Sequence, residues 1–321
     1  VKPERPRLPP RAASRLDDFE NPKVLGASRQ LSIASDLLIS VAEEYRGDSP
    51  GLVQQICDVV DYLVALRGAS SQAVPNALNL MLDGLDDRGQ TPIDQLRALF
   101  VDQVRAYDAE AADQMRRIAD YGAALAAGSK RLLAYDYSSS VAAILRTLNE
   151  LGESPTVVVP EARPLDGGRR YIEDLRESSL RFELVPDAAI GTLTRGCELA
   201  LVGAETVSAE GGCYNTIGTL LVALACEYWR VPLYSPTTLV KIDTRTLHGF
   251  QRRIPSLGAP HLKRLTAGWT AGLKERVVLA CPDLDYVPPK LMSGFVTEVG
   301  VLPPASIAGH AARMAKAAWD D

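Results

Sequence analysis

Leu199-Ala200-Leu201-Val202 runs into Gly203-Ala204-Glu205. Four apolar residues closed by a glycine and a carboxylate are too short for a helix. They read as a buried strand that delivers a polar group at its end. The same reading repeats through the second half of the chain. Leu132-Leu133-Ala134 enters Tyr135-Asp136-Tyr137-Ser138, and Val157-Val158-Val159 leads to Glu161-Ala162-Arg163-Pro164. Leu184-Val185 enters Pro186-Asp187, and Leu233-Tyr234 enters Ser235-Pro236-Thr237. Helix-like stretches fill the gaps, at about 139–151, 168–179, 187–195 and 216–229. Buried strands alternating with helices make a parallel sheet, and such sheets bind ligands at the carboxyl ends of their strands. These ends gather carboxylates, an arginine and hydroxyls, a crevice suited to a polar, phosphorylated small molecule. Val277-Val278-Leu279-Ala280 and Phe295-Val296-Thr297 are expected to finish the sheet, with residues 250–275 an insertion of loops and a short helix.

Working outward toward the amino end, the period changes. Leu52, Val53, Ile56, Val59, Val60, Leu63 and Val64 recur at helical spacing after Pro50, which a first turn tolerates. A second helix is expected from Thr91-Pro92, carrying Ile93, Leu96, Leu99, Phe100 and Val104. A third carries Met115, Ile118 and Leu125 and stops at Gly128. Residues 1–21 are rich in proline and arginine with little periodicity, and are expected to be a flexible arm. The expected class is α/β: a helical N-terminal domain over 22–128, then a Rossmann-like parallel-sheet ligand-binding domain over 129–321.

Composition narrows the function. With 35 Lys+Arg against 40 Asp+Glu the net charge is −5, which offers no clustered basic face for nucleic acid. No apolar run is long enough to span a bilayer and no signal peptide is evident, so a cytoplasmic protein without a membrane partner is expected. Cys57, Cys197, Cys213, Cys226 and Cys281 are scattered and odd in number, without a Cys-x-x-Cys. His248, His261 and His310 are dispersed. Neither a metal site nor a cofactor is expected.

Chemistry concentrates at the strand ends. Arg163 follows a strand and precedes a proline, so its backbone is extended and its guanidinium can grip a phosphate bidentately; a salt bridge with Asp166 or Asp187 is the plainer alternative. Asp136 and Glu205 end two apolar runs. In one crevice, burial and mutual repulsion would split their pKa values and divide acid and base roles; otherwise one caps a helix and the other pairs with an arginine. Tyr137 and Ser138, in the turn Tyr135-Asp136-Tyr137-Ser138-Ser139-Ser140, can donate to phosphate or simply cap the next helix. The main-chain amides of Asn215-Thr216-Ile217-Gly218-Thr219 can cradle an anion at a helix start. Lys241 can reach the crevice as a point charge or stay solvated. Arg67 ends the long amphipathic helix, where it complements either the helix dipole or the crevice.

Taken together, these segments resemble the regulatory-subunit (alpha, beta and delta) family of initiation factor 2B, related to ribose-1,5-bisphosphate isomerase and methylthioribose-1-phosphate isomerase. The resemblance rests on Glu161-Ala162-Arg163-Pro164, Pro186-Asp187-Ala188-Ala189-Ile190-Gly191, Gly203-Ala204-Glu205 and Asn215-Thr216-Ile217-Gly218-Thr219. Arg67 with Pro75-Asn76-Ala77-Leu78, and Asp285-Tyr286-Val287-Pro288-Pro289 followed by Thr297-Glu298-Val299-Gly300-Val301-Leu302-Pro303-Pro304, extend it. It runs from about Gly26 to Ile307. It implies a helical domain on a Rossmann-like one, with homodimers built through the latter. In the isomerase branches a cysteine in the strand-end turn and an aspartate in the Gly-Ala-x motif do the chemistry. Here Asp136 and Glu205 stand in those positions, Thr216 replaces the usual lysine, and Leu25 replaces an arginine. Arg163, Ser138, Asn215 and Lys241 keep the ligand-binding character that the resemblance implies. Two functions follow. The first is an aldose–ketose isomerase acting on a phosphorylated pentose or related sugar, with Asp136 and Glu205 as acid and base. The second is a non-catalytic sugar- or nucleotide-phosphate sensor or regulatory subunit.

Overall fold

Where apolar residues recur every three to four positions the chain is helical, and where they run together it is strand. The computed structural model describes residues 4–21, 27–67, 71–163, 165–254, 256–257 and 262–317. Leu25, Pro164 and His261, all noted in the sequence, lie outside the described residues. The chain divides into two compact units, Val1–Gln114 and Met115–Asp321. Among the described residues no helix is long and apolar enough to cross a membrane.

The first unit is helical: α1 (Pro10–Glu20), α2 (Ala27–Glu44), α3 (Ser49–Arg67), α4 (Ala73–Leu82) and the start of α5 (Ile93–Ala126). On α3 the expected stripe is buried at Leu52, Ile56, Val59, Val60 and Leu63. Two expectations are corrected. The stretch read as a flexible arm contains α1, which buries Ala12, Leu16 and Phe19 in the unit's core. Its cap comes from a distant element: the Ala12 N–H donates to Glu44 Oε2 at 3.0 Å, and Arg11 donates to Glu43 at 2.8 Å. No local pattern announces such a cap. The two helices expected around Ile93 and Met115 are the single helix α5, because no glycine or proline interrupts residues 93–121.

The second unit is built on strands β1 (Arg131–Tyr135), β2 (Thr156–Pro160), β3 (Arg181–Val185), β4 (Leu199–Val202), β5 (Thr206–Ser208), β6 (Cys213–Thr216), β7 (Leu233–Pro236), β8 (Ile242–Asp243), β9 (Leu284–Val287), β10 (Gly294–Thr297) and β11 (Gly300–Leu302). Seven of them form one sheet in the order β11-β10-β7-β4-β1-β2-β3, parallel except for β11. Leu133 lies opposite both Val158 and Ala200. Alternation sends Leu133, Val158 and Ala200 into a core shared with Val222, Ala223 and Cys226 of α9 (Thr219–Trp229). The other face, with Leu132, Val157 and Leu199, packs on Val141, Ile144, Leu145 and Leu148 of α6 (Ser139–Glu150) and on Tyr171 of α7 (Gly167–Asp174); the short α8 (Ile190–Leu193) lies between β3 and β4. Helices thus cover both faces, which explains the unbroken apolar runs. Strand order reverses between β1 and β4, so a topological switch point opens at their carboxyl ends.

A second sheet, β8-β5-β6-β9, was not expected. It takes residues 213–216, so the helix expected from about residue 216 begins only at Thr219. The strand expected at Val277–Ala280 is absent. Val278 is 90% exposed there, and an apolar run with nothing to pack on gains nothing from extending.

Candidate functional site

The switch point gathers the strand-end residues around the turn Gly203-Ala204-Glu205. β1 closes on Asp136, which adopts a left-handed backbone, φ 51°. Ala162 after β2 and Asp166 before α7 do the same, at 52° and 54°. Such conformations cost non-glycine residues on the order of 1–3 kcal/mol and cluster at working sites. Asp136 has room to turn because Gly167 lacks a side chain; a Cβ there would collide with Asp136 Oδ1.

Burial pushes the Asp136 pKa up from 3.8 to about 6, with Glu205 and Asp187 adding repulsion. The Thr216 hydroxyl and the Tyr137 main-chain N–H donate to its carboxylate and oppose that rise. Ser138 occupies the N-cap position of α6, yet its hydroxyl makes no capping bond. Its N–H donates to the Tyr171 hydroxyl at 3.0 Å. Ser138 and Asn215 meet over Gly203: a Cβ on that glycine would lie 3.2 Å from Ser138 Oγ and 3.4 Å from Asn215 Oδ1. Asn215 is buried and donates from Nδ2 to Thr219 Oγ1 at 3.0 Å. At the same turn, Lys241 Nζ donates to the Ala204 carbonyl at 2.7 Å. Burial pushes its pKa down, and the Glu205 carboxylate pulls it back up. Glu205 is partly buried, with its N–H donating to the Tyr214 carbonyl at 2.8 Å.

Asp136, Ser138, Glu205, Asn215, Thr216 and Lys241 are therefore brought together. Tyr137, Arg163 and Arg67 are engaged elsewhere. The Tyr137 hydroxyl donates to Asp174 at 3.1 Å, and its ring lies under Arg170. The Arg163 guanidinium pairs with Glu161, a partner not foreseen, and is half exposed. Asp187 instead receives main-chain bonds, from Ala162 N–H at 2.9 Å and Arg163 N–H at 2.8 Å. Burial raises the Asp187 pKa against those bonds. Arg163 and Asp187 line a cavity of about 530 Å³, whose apolar side is Leu220, Leu221 and Leu224 of α9. Arg67 belongs to the first unit, where it stacks over Phe19 and donates to its carbonyl at 3.4 Å.

The anion cradle expected at Asn215–Thr219 is already filled from within the chain. Asp285 Oδ2 accepts from Gly218 N–H at 2.7 Å and Leu220 N–H at 3.0 Å, taking the start of α9 for itself. Asp285 and Gly167 were both missed as shaping residues. So was Arg252, which is buried, donates to Thr206 Oγ1 at 2.7 Å, and adds a positive charge felt by Glu205. Glycine and aspartate strings could have flagged the first two. Nothing local marks Arg252 as buried.

A carboxyl titrating near pH 6, with a second carboxylate and an ammonium close by, can take a proton from carbon and return it to a neighbouring atom. In sequence and fold the chain is similar to known proteins. The initiation factor 2 subunit family matches residues 23–304. A putative translation initiation factor eIF-2B subunit 2-like protein of Pyrococcus furiosus is 26% identical over 297 residues, 92% of this chain and 98% of that protein. Ribose 1,5-bisphosphate isomerase of Haloterrigena turkmenica is 24% identical over 307 residues, 94% of this chain and 93% of the enzyme. The crystal structure of 5-methylthioribose 1-phosphate isomerase from Pyrococcus horikoshii OT3 superposes with a TM-score of 0.78 at 20% identity, over 96% of this chain and 88% of that one, a likeness of fold.

Proposed function

We propose that this chain, which belongs to the initiation factor 2 subunit family, is a cytoplasmic, homodimeric aldose–ketose isomerase acting on a phosphorylated pentose or related sugar. The observation that carries the reading is Asp136, a carboxyl made more basic than usual, held by Thr216 at the switch point. Asp136 removes the proton from the carbon beside the carbonyl. Glu205 supplies a proton to the carbonyl or ring oxygen, so an enediol forms. Returning the first proton to the adjacent carbon, with loss of the hydroxyl proton to Glu205, completes the isomer and restores both groups. Ser138 and Lys241 hold the phosphate, Asn215 orients a hydroxyl, and Arg163 serves if it leaves Glu161.

A second reading, a sugar- or nucleotide-phosphate sensor, draws support from the eIF-2B subunit 2-like relative, which aligns over nearly its whole length. Incubation of the protein with sugar phosphates that bind it, in deuterated water, separates the two. Isomer or deuterium at the carbon next to the carbonyl is expected. Tight binding without exchange for every such sugar would leave the sensor.

A further inference from the structure

From Ala267 to Val278 every residue is exposed within one copy of the chain. Four of them are large and apolar: Trp269, Leu273, Val277 and Val278, at 44%, 47%, 39% and 90% exposure. The base of this segment is fixed. Ser256 bridges Pro282, and the Leu257 N–H donates to the Cys281 carbonyl at 2.9 Å. Arg264 donates to both carboxylate oxygens of Asp166, at 3.1 and 2.6 Å. A pinned base with a bare apolar tip is an arm preorganised to grip something outside its own copy.

Two observations say what it grips. Leu262, Arg264 and Leu265 line the same cavity of about 530 Å³ as Leu221 and Leu224 of α9, both exposed. The arm therefore rises beside the outward apolar face of that helix. Charge is the second observation. Residues 244–282 hold seven Lys+Arg and one acid, Glu275, in a chain of net charge −5, so the remainder is strongly acidic. A second copy offers that acidic remainder to the arm. A phosphate-rich membrane or nucleic acid would attract the arm but repel the rest of the molecule, and aliphatic side chains do not stack on bases.

We propose that residues 262–281 are a dimer clasp: the arm of each copy lies on the other, apolar tip against apolar surface and basic residues against acidic ones. The inference rests on the homodimer reading and assigns the segment that holds the copies together. Two-fold symmetry makes the contact twice, so each substitution counts twice.

Sedimentation equilibrium of the full-length protein over a dilution series tests it. Trp269→Ser with Val278→Ser strips the tip, and Lys274→Glu with Arg276→Glu reverses its charge. All four side chains are exposed in one copy, so both variants should keep the parent's helical circular dichroism. The first pair should raise the dimer dissociation constant about tenfold or more. The second should raise it about threefold or more at about 0.05 M salt, and less at about 0.5 M. A monomeric parent ends the homodimer reading and the clasp with it. A dimeric parent whose dissociation constant neither pair changes overturns the clasp alone. Flotation of that parent with phosphatidylserine vesicles, lost in both variants, would then give the arm to a membrane.

Discussion

Asp136 turns left-handed, at φ 51°, with its carboxylate directed into protein and two further carboxylates acting on it. Aspartate and asparagine tolerate that conformation better than other residues with a Cβ, so Asp136→Asn tests chemistry with little disturbance of the backbone. Turnover should fall by about two to four orders of magnitude while sugar-phosphate binding is largely kept. A variant with parental turnover would remove Asp136 from the mechanism. In the parent, kcat/KM should rise as pH passes through about 6, the range of this group in the folded chain. Stability should run the other way. The folded pKa, about 6, exceeds the 3.8 of an unperturbed aspartate, so the protonated form favours folding. That contribution is complete below pH 3.8 and is lost as pH rises through 6, on the order of 3 kcal/mol in all. Urea midpoints taken across that range should show less pH dependence for Asp136→Asn than for the parent. That a carboxylate follows β1 is legible in the sequence, since the apolar run stops there. The left-handed turn is not, because the space for it comes from Gly167 on a different element.

Elements were legible where their own residues specify them and obscure where a distant group does. β1, β2, β4 and β7 lie where apolar runs predict them, and α6 and α3 follow their periodicity. α1 was hidden because two prolines, Pro9 and Pro10, open it and Glu44 of α2 takes its Ala12 amide. If α1 were an arm, Phe19→Ala would change nothing. With Phe19 fully buried the substitution should cost on the order of 3 kcal/mol; an unchanged urea midpoint would restore the arm. α9 makes the same point at its other end of scale. Its first amides are bonded to Asp285, which β9 presents opposite Asn215 of β6. A register between strands so far apart in sequence cannot be read from either one. Asp285→Ala removes a charge-assisted cap and leaves two amides facing the cavity, a loss of about 2 kcal/mol. Equal denaturation curves for this variant and the parent would mean the cap is not stabilising α9. The small sheet escaped notice for a related reason: β5 and β8 are too short to show alternation.

At the scale of the whole molecule, α9 leaves an apolar stripe in water. Leu221, Leu224 and Tyr228 are 57%, 50% and 76% exposed, and their spacing of three and four residues puts them on one side of the helix. Scattered apolar residues on a surface need no partner, but neighbouring ones on one helix face suit an interface. In the proposed homodimer a second copy would supply a matching one, because a two-fold axis across α9 lays the stripe against itself, and closed dimers are the commonest assembly of soluble chains. Symmetry also sharpens the test, since any substitution enters such an interface twice. Glutamates at positions 221 and 224 would face their own copies across the axis, adding like-charge repulsion to the lost apolar contact. Light scattering at micromolar concentration should therefore give the mass of a dimer for the parent and of a monomer for the Leu221→Glu, Leu224→Glu variant. The variant should keep its helical circular dichroism, because both side chains already face water within one copy. A monomeric parent would refute the dimer, and a dimeric variant would move the interface away from α9.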